Sequence, residues 1–199
     1  MLCAFHQSYK ISEEVFDLWC GLLRERDDAF LWLLQWNSNV ERTLRAAAAA
    51  RGIDPQRLIF APLLPLQQHL DRLACADLYL DAWPCNAHTT ASEALWVGVP
   101  VVTLCGPTFA QRVASSLLHT LRLDELVCDD AAAYHAKVLS LAADEAQRAA
   151  LRRHLETERA HNPLFDGTVL AGELEALLLR MWQQALRGEP PQHLAAAAA

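Results

Sequence analysis

Unbroken apolar runs recur along this chain between amphipathic segments, and that alternation restricts the fold more than any other feature of the sequence. The runs beginning at Leu31 (LWLL), Leu58 (LIF), Leu78 (LYL) and Val99 (VPVVTL) lack polar alternation, as strands covered on both faces by helices do. Strands each followed by a helix are joined by crossovers, so the sheet is expected to be parallel and the class α/β. The pattern predicts strands over Leu2–His6, Phe30–Gln35, Arg57–Ala61, Asp77–Asp81, Pro100–Leu104 and Glu125–Cys128. Helices are predicted over Ser12–Arg26, Ser38–Arg51, Leu66–Ala74, Thr90–Val97 and Phe109–Leu121. Ser38 with Glu41, and Thr90 with Glu93, fit the capping box that satisfies amides at a helix start. Glu13 and Glu14 open the first helix and Arg24 and Arg26 close it, in keeping with its dipole.

After Asp129 the strands stop, and Ala132–Leu141, Asp144–Arg159 and Val169–Arg187 read as helices. The last carries Leu170, Leu174, Leu177, Leu178, Met181 and Trp182 on one face. A core over 1–130, carboxyl-terminal helices over 131–187 and a frayed, low-complexity tail over 188–199 are the expected divisions. The first strand begins almost at Met1 with no lead-in, which reads as half of a larger protein starting at an internal domain boundary.

Composition excludes several classes of function. With 17 basic against 24 acidic residues in 199, the formal net charge is -7, and no basic stripe forms, so a nucleic-acid partner is not expected. The longest uncharged run, Ala94 to Gln111, is broken by Gly98, Pro100, Gly106 and Pro107, so it reads as helix end, strand and loop and no membrane partner is expected. A secretory signal is not visible either, and a cytoplasmic setting is expected. The six cysteines, Cys3, Cys20, Cys75, Cys85, Cys105 and Cys128, form no CxxC pair and read as core or near-core thiols. The seven glycines assemble neither a GxGxxG nor a GxxxxGK[ST] motif.

Ligands of open parallel sheets bind beyond the carboxyl ends of the strands. Three polar loops lie there: His6–Lys10, Pro62–Arg72 and Pro84–Thr90. In the last, Asn86, His88, Thr89 and Thr90 lead into a helix, where free amides and the dipole attract an anion. The alternative is that Thr90 only caps the helix and His88 is a loop residue. Lys10 is either a cation aimed at the same edge, able to neutralise a departing phosphate, or a solvated loop lysine. His69 and Arg72, spaced i, i+3, either grip a ribose, phosphate or carboxylate together or form a surface pair near Asp71 and Asp77.

The run from Cys85 to Thr103 (CNAHTTASEALWVGVPVVT) and the run from Gly106 to Ser116 (GPTFAQRVASS) resemble the donor-binding half of the O-linked N-acetylglucosamine transferases, SPINDLY-like proteins included. Phe5–Ile11, Arg57–Pro62 and Asn162–Phe165 resemble the same family in the same order. The resemblance implies a Rossmann-like nucleotide-sugar-binding core, the carboxyl-terminal lobe of a GT-B glycosyltransferase. It implies transfer of N-acetylglucosamine from UDP-N-acetylglucosamine to serine or threonine of an acceptor protein, with an amino-terminal lobe and tetratricopeptide repeats lying elsewhere. Carried over by position, Gln7 and Lys10 contact the diphosphate, with Lys10 stabilising the leaving UDP, and His88, Thr89 and Thr90 bind phosphate. Backbone near Ala61 and Leu64 holds uracil, and His69 and Arg72 line the nucleotide pocket. Glu93 stands where the family commonly has a ribose-binding aspartate, and Leu66 where relatives place a lysine. No Asp-x-Asp metal motif is present, and the resemblance implies catalysis without a metal or other cofactor. Another UDP-sugar enzyme of the same fold, or a non-catalytic module for a UDP-sugar or a protein, are the alternatives.

Overall fold

The structure is a computed structural model that describes residues 1–194. It divides into two compact units, Met1–Glu158 and the segment from Arg159 onward. The terminal alanines Ala195–Ala199 lie outside the described residues.

In the first unit, strands β1 (Leu2–Ala4), β2 (Leu31–Leu34), β3 (Leu58–Ala61), β4 (Leu78–Leu80), β5 (Val101–Leu104) and β6 (Val127–Cys128) form one sheet in the order β3-β2-β1-β4-β5-β6. Every pairing is parallel, as the unalternating apolar runs require. Leu2 is in register with Leu31 on one side and Leu78 on the other. The chain therefore reverses its direction of growth at β1, and the crevice between the carboxyl ends of β1 and β4 is the switch point at which such sheets bind ligands.

Helices α1 (Glu13–Glu25), α2 (Ser38–Ala50), α3 (Leu66–Leu73), α4 (Thr89–Trp96), α5 (Val113–Thr120), α6 (Ala131–Ala143) and α7 (Glu145–Glu158) accompany the sheet in this unit. Trp19, Tyr79, Tyr134 and Phe5 are fully buried with leucines of four strands, β1's Leu2 among the buried set. Gly98 ends α4 at φ 83, a left-handed turn where a side chain would be strained and would press on Arg152, and it delivers the chain into β5.

Several boundaries depart from expectation. Asn37, not Ser38, caps α2, its side chain accepting from Val40 N at 3.0 Å. Helix α4 starts at Thr89 with His88 at the cap position and no side-chain cap bond, so the Thr90–Glu93 capping box does not form. The segment Phe109–Leu121 is a 3-10 turn over Phe109–Gln111 followed by α5. The expected strand at Glu125 begins two residues later, after a 3-10 turn over Asp124–Leu126. Cys3, Cys20 and Cys128 are buried and Cys85 and Cys105 half-buried, but Cys75 is exposed, which corrects the reading of all six as core thiols.

The second unit contains the break at Asn162–Phe165, where Asn162 accepts from Leu164 N at 3.0 Å, and helix α8 (Gly167–Leu186). Along α8, Leu170, Leu174, Leu178, Met181 and Trp182 are exposed. No helix among the described residues is long and apolar enough to cross a membrane.

Candidate functional site

Strand β1 ends at Ala4, and the buried pair Phe5 and His6 carries the chain to the sheet edge before a 3-10 turn over Ser8–Lys10. Ser12 then caps α1, accepting from Val15 N at 3.2 Å. The turn aims Lys10 across the switch point, where Nζ donates to the Asn86 carbonyl at 2.7 Å. Lys10 is thus a half-buried bridge between the β1 and β4 loops, and the solvated-lysine reading does not hold.

The β4 loop is built around a residue that sequence reading left at a strand end. Asp81, fully buried, accepts from Ala82 N at 2.8 Å and Ala87 N at 2.6 Å through Oδ1, and from the Thr103 hydroxyl at 2.6 Å through Oδ2. Burial pushes its carboxyl up to about 7, against the pull of those three donors and of the Lys10 charge. Asn86 is also buried, its amide donating to the Ala82 carbonyl at 3.0 Å, while its Oδ1 has no partner among the described residues. His88 follows at the α4 cap, edge-on to Phe109 at 6.3 Å between centroids, with its buried Nε2 likewise without a partner among the described residues. Thr89 is exposed and Thr90 half-buried in the first turn of α4. The first-turn amides of any helix lack intrahelical acceptors, so this loop presents donors to the crevice.

A second cluster forms where α3 meets α4. The Arg72 guanidinium lies over the Phe5 ring, 4.9 Å from its centroid, and is 2.9 Å from His69 Nδ1; it also donates to the Pro62 carbonyl. His69 Nε2 is 3.5 Å from Glu93 Oε2. Glu93 therefore faces His69 rather than Thr90. The surface-pair reading fails too, since Asp71 accepts from Gln67 at 2.9 Å while Asp77 faces the Met1 amine and Arg148. Neither Lys10 nor Arg72 forms an ion pair with a carboxylate among the described residues, which leaves two cations at one edge of the sheet.

The remaining candidates are less engaged. Gln7 is exposed just before the Lys10 turn. Ala61 is buried at the end of β3 with its carbonyl accepting from Gln35 N at 2.8 Å, and Leu64 and Leu66 are exposed in and after the following loop. His6, the histidine nearest Lys10 in sequence, is a core residue: its ring stacks on Trp19, Nε2 faces the Leu80 carbonyl at 2.8 Å, and burial lowers it to about 4. Among the described residues no group of three or more His, Cys, Asp or Glu gathers as a metal site would require.

The profile of glycosyl transferase family 41 matches residues 1–174. The chain belongs to glycosyl transferase family 41. This family 41 chain is 34% identical over 194 residues to a probable UDP-N-acetylglucosamine-peptide N-acetylglucosaminyltransferase of Arabidopsis thaliana, covering 97% of this chain and 20% of that protein. It is 34% identical over 194 residues to the Caenorhabditis elegans protein of the same name, covering 98% of this chain and 17% of the relative. The chain thus spans about a fifth of the length of these relatives. Among solved structures, an O-GlcNAc transferase mutant of Thermobaculum terrenum superposes with a TM-score of 0.88 at 33% identity, over 94% of this chain and 36% of that one. The fold is that of the carboxyl-terminal lobe of a GT-B transferase of this family. A putative UDP-N-acetylglucosamine 2-epimerase from Listeria monocytogenes, with a TM-score of 0.52 at 15% identity over 98% of this chain and 47% of that one, shares the fold alone.

Proposed function

We propose that this family 41 chain is the donor-binding lobe of an enzyme that transfers N-acetylglucosamine from UDP-N-acetylglucosamine to serine or threonine of acceptor proteins. The observation that carries the reading is the Lys10–Asn86 bridge at the switch point, which puts a cation without a carboxylate partner beside the amides of α4. A nucleoside diphosphate leaving a sugar gathers negative charge on its β-phosphate, and a preorganised cation and helix amides meet that charge without reorganising. Gln7 and Lys10 serve the diphosphate, and His88, Thr89 and Thr90 the phosphate at the helix start. The orphaned Nε2 of His88 supports this assignment.

The His69–Arg72–Glu93 cluster serves the nucleoside, with Glu93 competing between the ribose hydroxyls and His69. Backbone near Ala61 and Leu64 serves the base. Charge compensation in this reading comes from Lys10 and α4 rather than from a divalent cation or another cofactor. The acceptor side of the cleft and the catalytic base belong to a second lobe, and tetratricopeptide repeats to the recognition of the acceptor; a cytoplasmic setting goes with that assignment.

Calorimetric titration of UDP and UDP-N-acetylglucosamine into the purified 199-residue chain tests the donor site. Both are expected to bind, UDP the more tightly because its terminal phosphate is free. Absence of binding by either nucleotide would sink the reading.

A further inference from the structure

We infer that Asp81 is a positioning residue that fixes Lys10 at the switch point by holding the loop whose Asn86 carbonyl receives the lysine. Asp81 cannot meet a ligand itself, since it is fully buried beneath the loop. Its Oδ1 takes the amides at both ends of the segment, Ala82 at 2.8 Å and Ala87 at 2.6 Å, and so closes the segment from Ala82 to Ala87 into a fixed arch. Its Oδ2 takes the Thr103 hydroxyl at 2.6 Å, tying the arch to β5. The Tyr134 hydroxyl donates to the Asp81 carbonyl at 3.0 Å and fixes the main chain at the same point from α6.

Among the described residues no other side chain accepts from the main-chain amides of the arch, although Glu14 takes the Trp83 indole at 3.2 Å. Asn86 adds one bond within it, to Ala82, and its main-chain amide reaches the Ala110 carbonyl at 2.9 Å. Lys10 meets the arch only through the Asn86 carbonyl, a main-chain group whose position depends on the path of the loop and not on its own side chain. A carboxylate buried at a strand end is a costly way to fill space, and an apolar residue would serve a purely packing role. What the carboxylate provides is acceptors for two amides that would otherwise be buried unpaired. Since both loop amides share Oδ1, an asparagine in place of Asp81 keeps both bonds and can donate to the Thr103 oxygen, whereas alanine keeps none.

The inference rests on the reading of Lys10 as the cation that meets the diphosphate, but its first test does not. The intact chain has two lysines, Lys10 and Lys137, so a limiting amine acetylation followed by mass spectrometry reports Lys10 with Lys137 as an internal reference. Asp81→Ala is expected to raise the Lys10 rate several-fold over wild type with Lys137 unchanged, and Asp81→Asn to leave both at the wild-type rate. Both variants remove the charge and only alanine removes the hydrogen bonds, so the pair separates the arch from simple attraction across the site. If alanine prevents folding, seen as acceleration at Lys137 as well, Asp81→Ser takes its place. A wild-type Lys10 rate in a folded alanine or serine variant would overturn the inference, and so would an asparagine variant as fast as alanine.

Calorimetry with UDP then completes a double-mutant cycle. Asp81→Ala is expected to weaken UDP several-fold in the wild-type background and to add nothing in a Lys10→Ala background. Full additivity in that cycle would show that Asp81 acts elsewhere. Failure of the wild-type chain to bind UDP at all would sink the functional reading, and the acetylation pattern would still decide the positioning role.

Discussion

At the scale of single residues, two buried groups set opposing responses to pH. Asp81 is pushed up to about 7 by burial, so between the ordinary carboxylate range and pH 7 the folded state holds a proton that the unfolded chain has released. Its ionisation counts against folding as pH rises and does so in full above 7, by on the order of 4 kcal/mol at ~1.4 kcal/mol per unit. His6 runs the other way. Lowered by burial from 6.5 to about 4, it stays neutral in the fold, so the stability it contributes is present above 6.5 and is lost as pH falls towards 4. The windows nearly coincide, and the two slopes offset. Asp81→Asn is therefore expected to gain stability over wild type at pH 8, to lose that gain towards pH 4, and to show a steeper acid destabilisation across the interval. Urea unfolding at several pH values checks this, and a constant difference between the two proteins would refute it. For Lys10 the proposed role is functional. In an enzyme with both lobes, Lys10→Ala is expected to lower turnover by about a hundredfold or more, because the charge it meets grows as the bond to UDP breaks, while the ground-state donor complex weakens much less. Unchanged turnover with only a raised donor KM would assign Lys10 to uniform binding instead.

At the scale of elements, the sheet was legible because strands covered on both faces leave unalternating apolar runs, and the helices because their apolar positions repeat. Most helix starts were legible to within a residue or two, but the helix expected from Phe109 begins at Val113, after a 3-10 turn. The sequence Trp36-Asn37-Ser38-Asn39 offers three good cap residues in a row, and the extended backbone at Asn37, φ -166 and ψ 167, selects among them. Asn37→Ala is accordingly expected to cost roughly 1 kcal/mol of stability and Ser38→Ala only a few tenths; equal losses in thermal melts would contradict that assignment. At α4 the spacing of Thr90 and Glu93 suggested a local box, but a tertiary partner, His69 of α3, takes the glutamate. Thr90→Ala therefore removes no cap. Thr89→Ala, at an exposed site, is expected to leave melting unchanged yet weaken UDP, and unchanged UDP affinity would remove Thr89 from the phosphate site. Asp81 gave no signal in sequence, because its partners are two main-chain amides and a hydroxyl from β5, none of which leaves a charge pattern or a spacing. Lys10 and the Asn86–Thr90 run were legible because both follow strands that the apolar runs had already marked, and parallel topology brings such loops to one edge.

At the scale of the whole molecule, the chain carries the proposed donor edge in its first unit and a helix with exposed apolar side chains in its second. Helix α8 exposes Leu170, Leu174, Leu178, Met181 and Trp182 at spacings of three and four residues, a stripe of the kind that helices bury against a partner. Complete burial of such a side chain is worth roughly 1.5–3 kcal/mol, so the stripe is a driving force for association that works against the freedom lost on binding. The chain spans about a fifth of the length of its relatives, and in the proposed enzyme the acceptor side of the cleft is supplied by another lobe. Two consequences follow for the 199-residue chain alone. It is expected to transfer no sugar to a peptide, because in the proposed enzyme the acceptor side of the cleft comes from another lobe; robust glycosylation by the purified chain would overturn the division of labour between lobes. It is also expected to self-associate in a concentration-dependent way, driven by apolar burial and therefore weakened on cooling rather than by added salt. Replacing Leu174, Leu178 and Trp182 with glutamine should shift sedimentation towards the monomer while leaving UDP affinity at the wild-type value, since all three lie in the second unit and every proposed donor contact lies in the first. A triple variant that still associates would place the contact on another surface, and one that loses UDP binding would show that the donor edge depends on α8.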